Sequence, residues 1–441
     1  MRLLLLFLAA CGRYGFGDLA DAPGSDAQTG TRLEQQWVVY DGTLRQPAST
    51  LYDTLLATAC TATATVDGTR CLPYGGYVYY ADAACTQPIA QPSTPGARFA
   101  FPDSYGPIAT GYAFGASVGA PAMVYVSEFS GACQGQMWTG GELFSLTDIG
   151  LAMFAKLTLM TGNEGRLVSQ TFVADDGFRT PGPLHDTLGN ADCTGVVYDD
   201  GGGCFPYPTD FSVTYDDNTC THSVENAITR VSFAMVEKGG TLCKMTDFDL
   251  RPVTVELPRT MSIWVDIPGS ATCAQSTVPT GWRLFDLGSP LALAPVTRAP
   301  TGSGRMQRIT STGNGASAID TFDVWDSQLS IECQPQVAAD GVSRCLPSAP
   351  YAQSAGYFSD AGCTQPIVGS GVRSCASSPV TLLRDINASS NPRVFKAVLH
   401  AGQIYGGTPT NCQPYQNQMF YTEGTELTPD MFAVVTQPTD P

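Results

Sequence analysis

The chain has 441 residues, with 23 Lys and Arg against 40 Asp and Glu, a net charge of −17. That balance excludes a nucleic-acid binder, which needs clustered cations to neutralise phosphates. A hydrophobic fraction of 43% excludes a disordered chain, while 46 Gly and 31 Pro favour turns over long helices.

The chain opens MRLLLLFLAAC. Arg2 is a short positive region and Leu3 to Ala10 an apolar one, at the short end of signal-peptide lengths. Leu8-Ala9-Ala10-Cys11 resembles the lipobox of bacterial lipoproteins. The resemblance implies that residues 1–10 are a signal peptide and that Cys11 carries the lipid. Gly12 follows it rather than Asp, which in Gram-negative lipoproteins implies the outer membrane. Several acyl chains on one residue anchor stably, since each buried CH₂ contributes ~0.8 kcal/mol. Residues 11–30 are rich in Gly, Ala, Asp and Ser and read as a flexible tether spanning roughly 24 Å r.m.s.. No apolar run of helix-spanning length follows, so no transmembrane helix is expected.

Beyond the tether, three sets of motifs recur in one order, and such repetition is the first thing to seek in a long chain. Tyr52-Asp53-Thr54 leads to Cys60, His185-Asp186-Thr187 to Cys193, and Trp325-Asp326-Ser327 to Cys333. Cys71-Leu72-Pro73, Cys204-Phe205-Pro206 and Cys345-Leu346-Pro347 follow. Then come Tyr80-x-Asp82-x-x-Cys85-Thr86, Tyr215-x-Asp217-x-x-Cys220-Thr221 and Phe358-x-Asp360-x-x-Cys363-Thr364. An Arg opens each set, at Arg32, Arg166 and Arg305. The spacings place β units at residues 31–160, 161–300 and 301–441, close to the soft prior of about three domains of ~150 residues. Cys133, Cys273 and Cys412 complete the three sets, and Cys243 and Cys375 stand outside the pattern.

Without Cys11, 14 of the 15 cysteines remain, an even number suited to disulfides in an exported protein. The first two in each unit flank a turn signal, at Asp67-Gly68, Asp200-Gly201 and Asp340-Gly341. Cys60–Cys71, Cys193–Cys204 and Cys333–Cys345 are therefore expected as disulfides across hairpins, contributing roughly 2–4 kcal/mol each. Zinc is disfavoured, because no Cys-x₂-Cys occurs and 3 histidines cannot serve three units. Neither a metal nor a cofactor is expected.

Short runs such as Trp37-Val38-Val39-Tyr40 and Ile263-Trp264-Val265, separated by turns, give the all-β pattern. Helix is hinted at only from Asp148 to Lys156 and from Leu287 to Ala294. The expected architecture is three tandem ~135-residue disulfide-stapled antiparallel β modules; the alternative is a six-bladed propeller-like ring with two blades per unit.

No catalytic constellation emerges. His185 holds the slot of Tyr52 and Trp325 and reads as a packing residue; His222 and His400 read as structural. Asp82, Asp217 and Asp360 sit where a carboxylate hydrogen-bonds the backbone of a turn, and Asp53, Asp186 and Asp326 are expected to cap turns likewise. Asp216-Asp217-Asn218 lacks the Gly and terminal Glu of a calcium loop.

The combined pattern resembles a group of uncharacterised lipoproteins from myxobacteria. The matching residues are Asp67-Gly68-Thr69-Arg70-Cys71-Leu72-Pro73 and Asp340-Gly341-Val342-Ser343-Arg344-Cys345-Leu346-Pro347; unit two departs by lacking the Arg before Cys204. The resemblance implies location and architecture, not an activity. The expectation is a non-enzymatic, lipid-anchored cell-surface protein, its membrane contact made by the lipid. A surface polymer, a carbohydrate or an envelope protein would suit it as partner; nucleic acid would not. The alternative is an exported hydrolase, carbohydrate-active, on a propeller-like scaffold.

Overall fold

The structure, a computed structural model, describes residues 30–436 apart from 103–106, 128–132, 163–164, 208, 211–212, 228–231, 239–242, 259–260, 267–272, 279–281, 349–350, 353–355, 373–379, 386–390 and 415–418. Cys11 and Cys375 therefore lie outside the described residues. What is described is all-β, with two single-turn 3₁₀ helices at Met245–Asp247 and Pro429–Met431.

Each unit begins with an antiparallel four-stranded meander. The first runs through Leu33–Tyr40, Leu44–Asp53, Thr58–Thr65 and Gly68–Pro73. The second is Leu167–Ala174, Arg179–Asp186, Ala191–Tyr198 and Gly201–Pro206; the third is Met306–Gly313, Ala316–Asp326, Ile331–Val337 and Ser343–Pro347. Turn chemistry sets the reversals. Asn314 and Gly315, at φ 50° and 82°, form the two-residue link between Gly313 and Ala316 that a twisted hairpin requires. In the Asp-Gly turns, Gly68, Gly201 and Gly341 take positive φ and the aspartates do not. The aspartates serve instead as hydrogen-bond acceptors.

The meanders join edge to edge. The strand Lys156–Thr161 pairs with the last strand of the first meander and the first strand of the second. Ala294–Pro295 and Thr297–Thr301 do the same between the second and third. At the end of the chain, Val434 bridges Arg344, and Val435–Thr436 pairs with Tyr40 and Val39. The last strand thus returns to the first and closes a ring. Closure leaves no exposed edge at this seam. It has three members, not the six blades of the propeller alternative.

Between meander and linker each unit inserts a small curled sheet. In unit one its order is Gly76–Tyr80, Pro88–Gln91, Leu143–Asp148, Tyr112–Gly119 and Phe99–Phe101, and Phe99–Phe101 pairs in parallel with Gly76–Tyr80 to complete the circuit. Unit two repeats that parallel pair with Thr209–Asp210 and Phe233–Glu237, and unit three with Tyr351–Ala352 and Leu382–Asp385.

The three ring cores are shared between neighbours. Leu33, Leu51, Cys60 and Cys71 of unit one pack with Ala174 and Phe178 of unit two. Leu167, Leu184, Cys193 and Cys204 of unit two pack with Ala316 of unit three. Met306, Val324, Cys333 and Cys345 of unit three pack with Tyr40 of unit one. Each first hairpin closes the core of the preceding unit, cyclically. Tandem in sequence, the units are interlocked in space.

The helix hints dissolve for a physical reason. Leu151, Phe154 and Ala155 mimic helical i, i+3, i+4 spacing, but the first two enter the junction with the small barrel and Ala155 enters the disulfide core. Two destinations require an extended chain. Leu287 to Ala294 behaves alike, and both segments are irregular chain with short strands.

Candidate functional site

The structure places the recurring cysteines in six disulfides. Cys60–Cys71, Cys193–Cys204 and Cys333–Cys345 run diagonally across hairpins, with Cα separations of 5.2, 5.3 and 5.2 Å. Cys85–Cys133, Cys220–Cys273 and Cys363–Cys412 tie each small barrel to its outer hairpin. Cys243 is buried and also disulfide-bonded.

The aspartates before each first cysteine do more than cap a turn. Asp53 accepts from Arg32 Nε and Nη2 (3.0 and 2.8 Å) and from the backbone N–H of Leu55 and Leu56. Arg32 Nη2 also donates to the carbonyl of Met153 on the linker. Arg166 repeats this with Asp186 and Ala292, and Arg305 with Asp326 and Met431. Each clasp therefore holds a strand start, a turn and a ring linker together. Asp53 and Asp326 are fully buried with their lone pairs occupied, which makes them structural anchors.

The other recurring acids are similarly committed. Asp82, Asp217 and Asp360 each accept hydrogen bonds from hydroxyl and backbone groups up to five residues on. These bonds hold all three carboxyls below the usual range, the Thr86 hydroxyl leading for Asp82, the Thr219 hydroxyl for Asp217 and the Gln365 N–H for Asp360. They let Cys85, Cys220 and Cys363 adopt φ of 51°, 53° and 49°. Asp67 binds Arg70 and Asp340 binds Arg344 within their hairpins. Both arginines then reach the linker, at the carbonyls of Phe154 and Phe432.

Of the histidines, His185 has a partner the sequence did not suggest. Its Nδ1 lies 2.8 Å from Asp192, the position opposite it on the next strand. Tyr207 lies nearby, its backbone N–H donating to the Asp192 carbonyl at 2.9 Å. Glu332 stands at the same place opposite Trp325. His222 Nδ1 lies 2.8 Å from Asp216, and the His400 ring stands edge-on to Phe420.

Two places among the described residues that depart from this economy bear on function. The first is an acid cluster on the ring seam. Arg298 pairs with Asp320 at 2.8 Å and with Glu332, and lies 3.9 Å from Asp323. Ser348 donates to Asp323, and burial, Asp320 and Glu332 push its carboxyl up. Buried Tyr40 is pushed up too, by burial and then by Asp323 and Asp320. Because the native pKa of Asp323 exceeds its unfolded value, its stabilising contribution is present below pH ~4 and is lost as pH rises through the native pKa. Asp323→Asn removes that loss. It should melt higher than wild type at pH 7, with the advantage gone near pH ~3. Melts at both pH values check this, and a lower neutral-pH melting point would refute it.

The second is a cavity of about 300 Å³ in unit two, between the meander and its small barrel. Tyr198, Phe205, Met235, Met245, Phe248 and Leu293 are among its walls, with Lys238 and Asp249 at 3.0 Å from each other. The sequence reading missed it because no motif marks it. A signal was present: Met-Phe-Ala stands at both 153–155 and 431–433, and Ala-Leu-Ala stands midway, at 292–294. Among the described residues, no group of three or more His, Cys, Asp or Glu is arranged to hold a metal ion, and no helix is long and apolar enough to cross a membrane.

A model of a family of unknown function matches residues 4–432, spanning all three units. The chain belongs to that family, DUF7481. No curated protein and no solved structure matches it. For this DUF7481 chain the ring, its clasps and the unit-two cavity are therefore what a functional reading rests on.

Proposed function

We propose that this DUF7481 protein is a lipid-anchored surface protein. Its disulfide-stapled β ring is held at the outer membrane by Cys11 and works by binding, not by catalysis. The observation that carries the reading is the use made of the recurring polar residues. The Arg–Asp clasps, the Asp-capped turns and the Arg70 and Arg344 stitches all stabilise a closed, oxidised ring. Six disulfides fit an extracellular or otherwise oxidising compartment. A surface polymer, a carbohydrate or an envelope protein is the class of partner we assign.

The rival hydrolase reading needs two carboxylates facing each other across a substrate. Asp320, Asp323 and Glu332 gather instead on one guanidinium. The anchoring half is tested by Cys11→Ala: the variant should move from the membrane to the soluble fraction. A Cys11→Ala protein that stays membrane-bound and uncleaved would overturn it. The soluble variant then serves as bait on envelope extracts. Capture of a defined polymer or protein, with no turnover of it, is the expected result.

A further inference from the structure

The geometry points to a ligand site in unit two that the sister units have filled: the cavity takes a compact, neutral, aromatic small molecule. Its volume of about 300 Å³ matches the lower end of ligand pockets, which are mostly apolar with a few polar groups.

Two positions explain why the space exists. The residue before the second hairpin cysteine is Arg70 in unit one and Arg344 in unit three, but Gly203 in unit two. The arginines reach the carbonyls of Phe154 and Phe432, and the matching linker residue in unit two is Leu293. Phe154 and Phe432 are 1% and 2% exposed. The Phe154 ring fills its junction, packing edge-on against Phe99 and Phe101 at 5.4 and 5.3 Å. Unit two has lost both the guanidinium and the ring. Gly203 also has a steric role, since a Cβ there would stand 3.1 Å from the Leu293 side chain and from Met245 Cε. Glycine lets those two residues stand where they line the cavity.

The walls are built, not left over. Asp200, the counterpart of Asp67, accepts from the Met245 N–H at 2.7 Å, the Thr246 N–H at 3.2 Å and the Thr246 hydroxyl at 3.0 Å. It thereby fixes the short turn Met245–Asp247 as one wall. The rings of Tyr198 and Phe248 stand 5.9 Å apart, tilted, and present aromatic surface. A third ring gains from both area burial and ring–ring geometry. The ligand is neutral because the charges close by already serve each other: Asp249 pairs with Lys238 at 3.0 Å and with Arg251 at 3.3 Å. An incoming charge would have to displace one of those pairs.

The test is saturation-transfer NMR on the intact protein with p-cresol, indole and benzoate. Wild type should bind p-cresol and indole more tightly than benzoate. Leu293→Phe, which installs the sister residue, should weaken both neutral ligands about tenfold or more, equivalent to ~1.4 kcal/mol. Met245→Trp, filling from the opposite wall, should do the same, with thermal melts reporting that each variant is folded. Absence of binding by wild type, undiminished binding by the folded variants, or tighter binding of benzoate would overturn the assignment. The anchoring proposal is read from membrane partition and stands or falls separately.

Discussion

Phe432→Ala should destabilise the protein by about 3–5 kcal/mol, the cost of deleting a large aromatic from a closed core. Phe432 is 2% exposed and belongs to the core that joins Tyr40 of unit one to Met306, Val324, Leu346, Leu382, Val394 and Leu427 of unit three. It also sits on the segment that closes the ring. Its carbonyl accepts from Arg344 at 2.9 Å, and two residues on, the Val434 carbonyl accepts from the Asp41 N–H at 2.8 Å. The cavity left behind therefore loosens a seam whose partners lie almost a chain length apart. Nothing local in sequence reinforces that seam, so closing it has to overcome the entropy of a very long loop. Denaturant unfolding measures the loss, and hydrogen exchange should speed first at Tyr40, Asp41 and Cys345. A loss under about 1 kcal/mol, with the seam amides still protected, would mean that closure contributes little.

This seam marks the limit of what the sequence discloses. The motifs with fixed local spacing were legible because their partners are near. Cys60 and Cys71 flank one turn, and Asp82 caps residues four and five positions on. The opening arginines were visible as a regular spacing, yet their role was not, because Arg32 meets Asp53 and Met153 at once. The linkers were misread as weakly helical since their apolar residues serve two cores. Ring closure rests on Val39 and Tyr40 meeting Val435 and Thr436, a pairing that periodicity cannot encode. Cavity formation was hidden differently. The Arg missing before Cys204 is visible as a departure from pattern, but its consequence appears only with Leu293 brought beside Gly203. An absence in a motif became informative once its neighbours in space were known.

The second large effect is expected at the clasps. Asp326→Ala should cost about 3–5 kcal/mol, the penalty for removing one partner of a buried ion pair. Asp326 is fully buried; besides Arg305 it satisfies the N–H groups of Gln328 and Leu329, at 3.0 and 3.2 Å. Alanine abandons all of these donors together, and Arg305 keeps only its bond to the Met431 carbonyl on the ring-closing segment. Asp326→Asn separates the two contributions: it retains an acceptor for the backbone N–H groups but removes the charge, so its loss should be roughly half as large. A double-mutant cycle with Arg305→Met isolates the pair itself, and a coupling of ~1–3 kcal/mol is expected for residues in direct contact. The geometrically matching Arg32–Asp53 clasp should give a similar value, because both aspartates are fully buried and both arginines grip a linker carbonyl. Asp186, at 7% exposure, is slightly less enclosed and should respond a little less. A coupling near zero would place the clasp among surface ion pairs and leave the disulfides and shared cores to hold the ring.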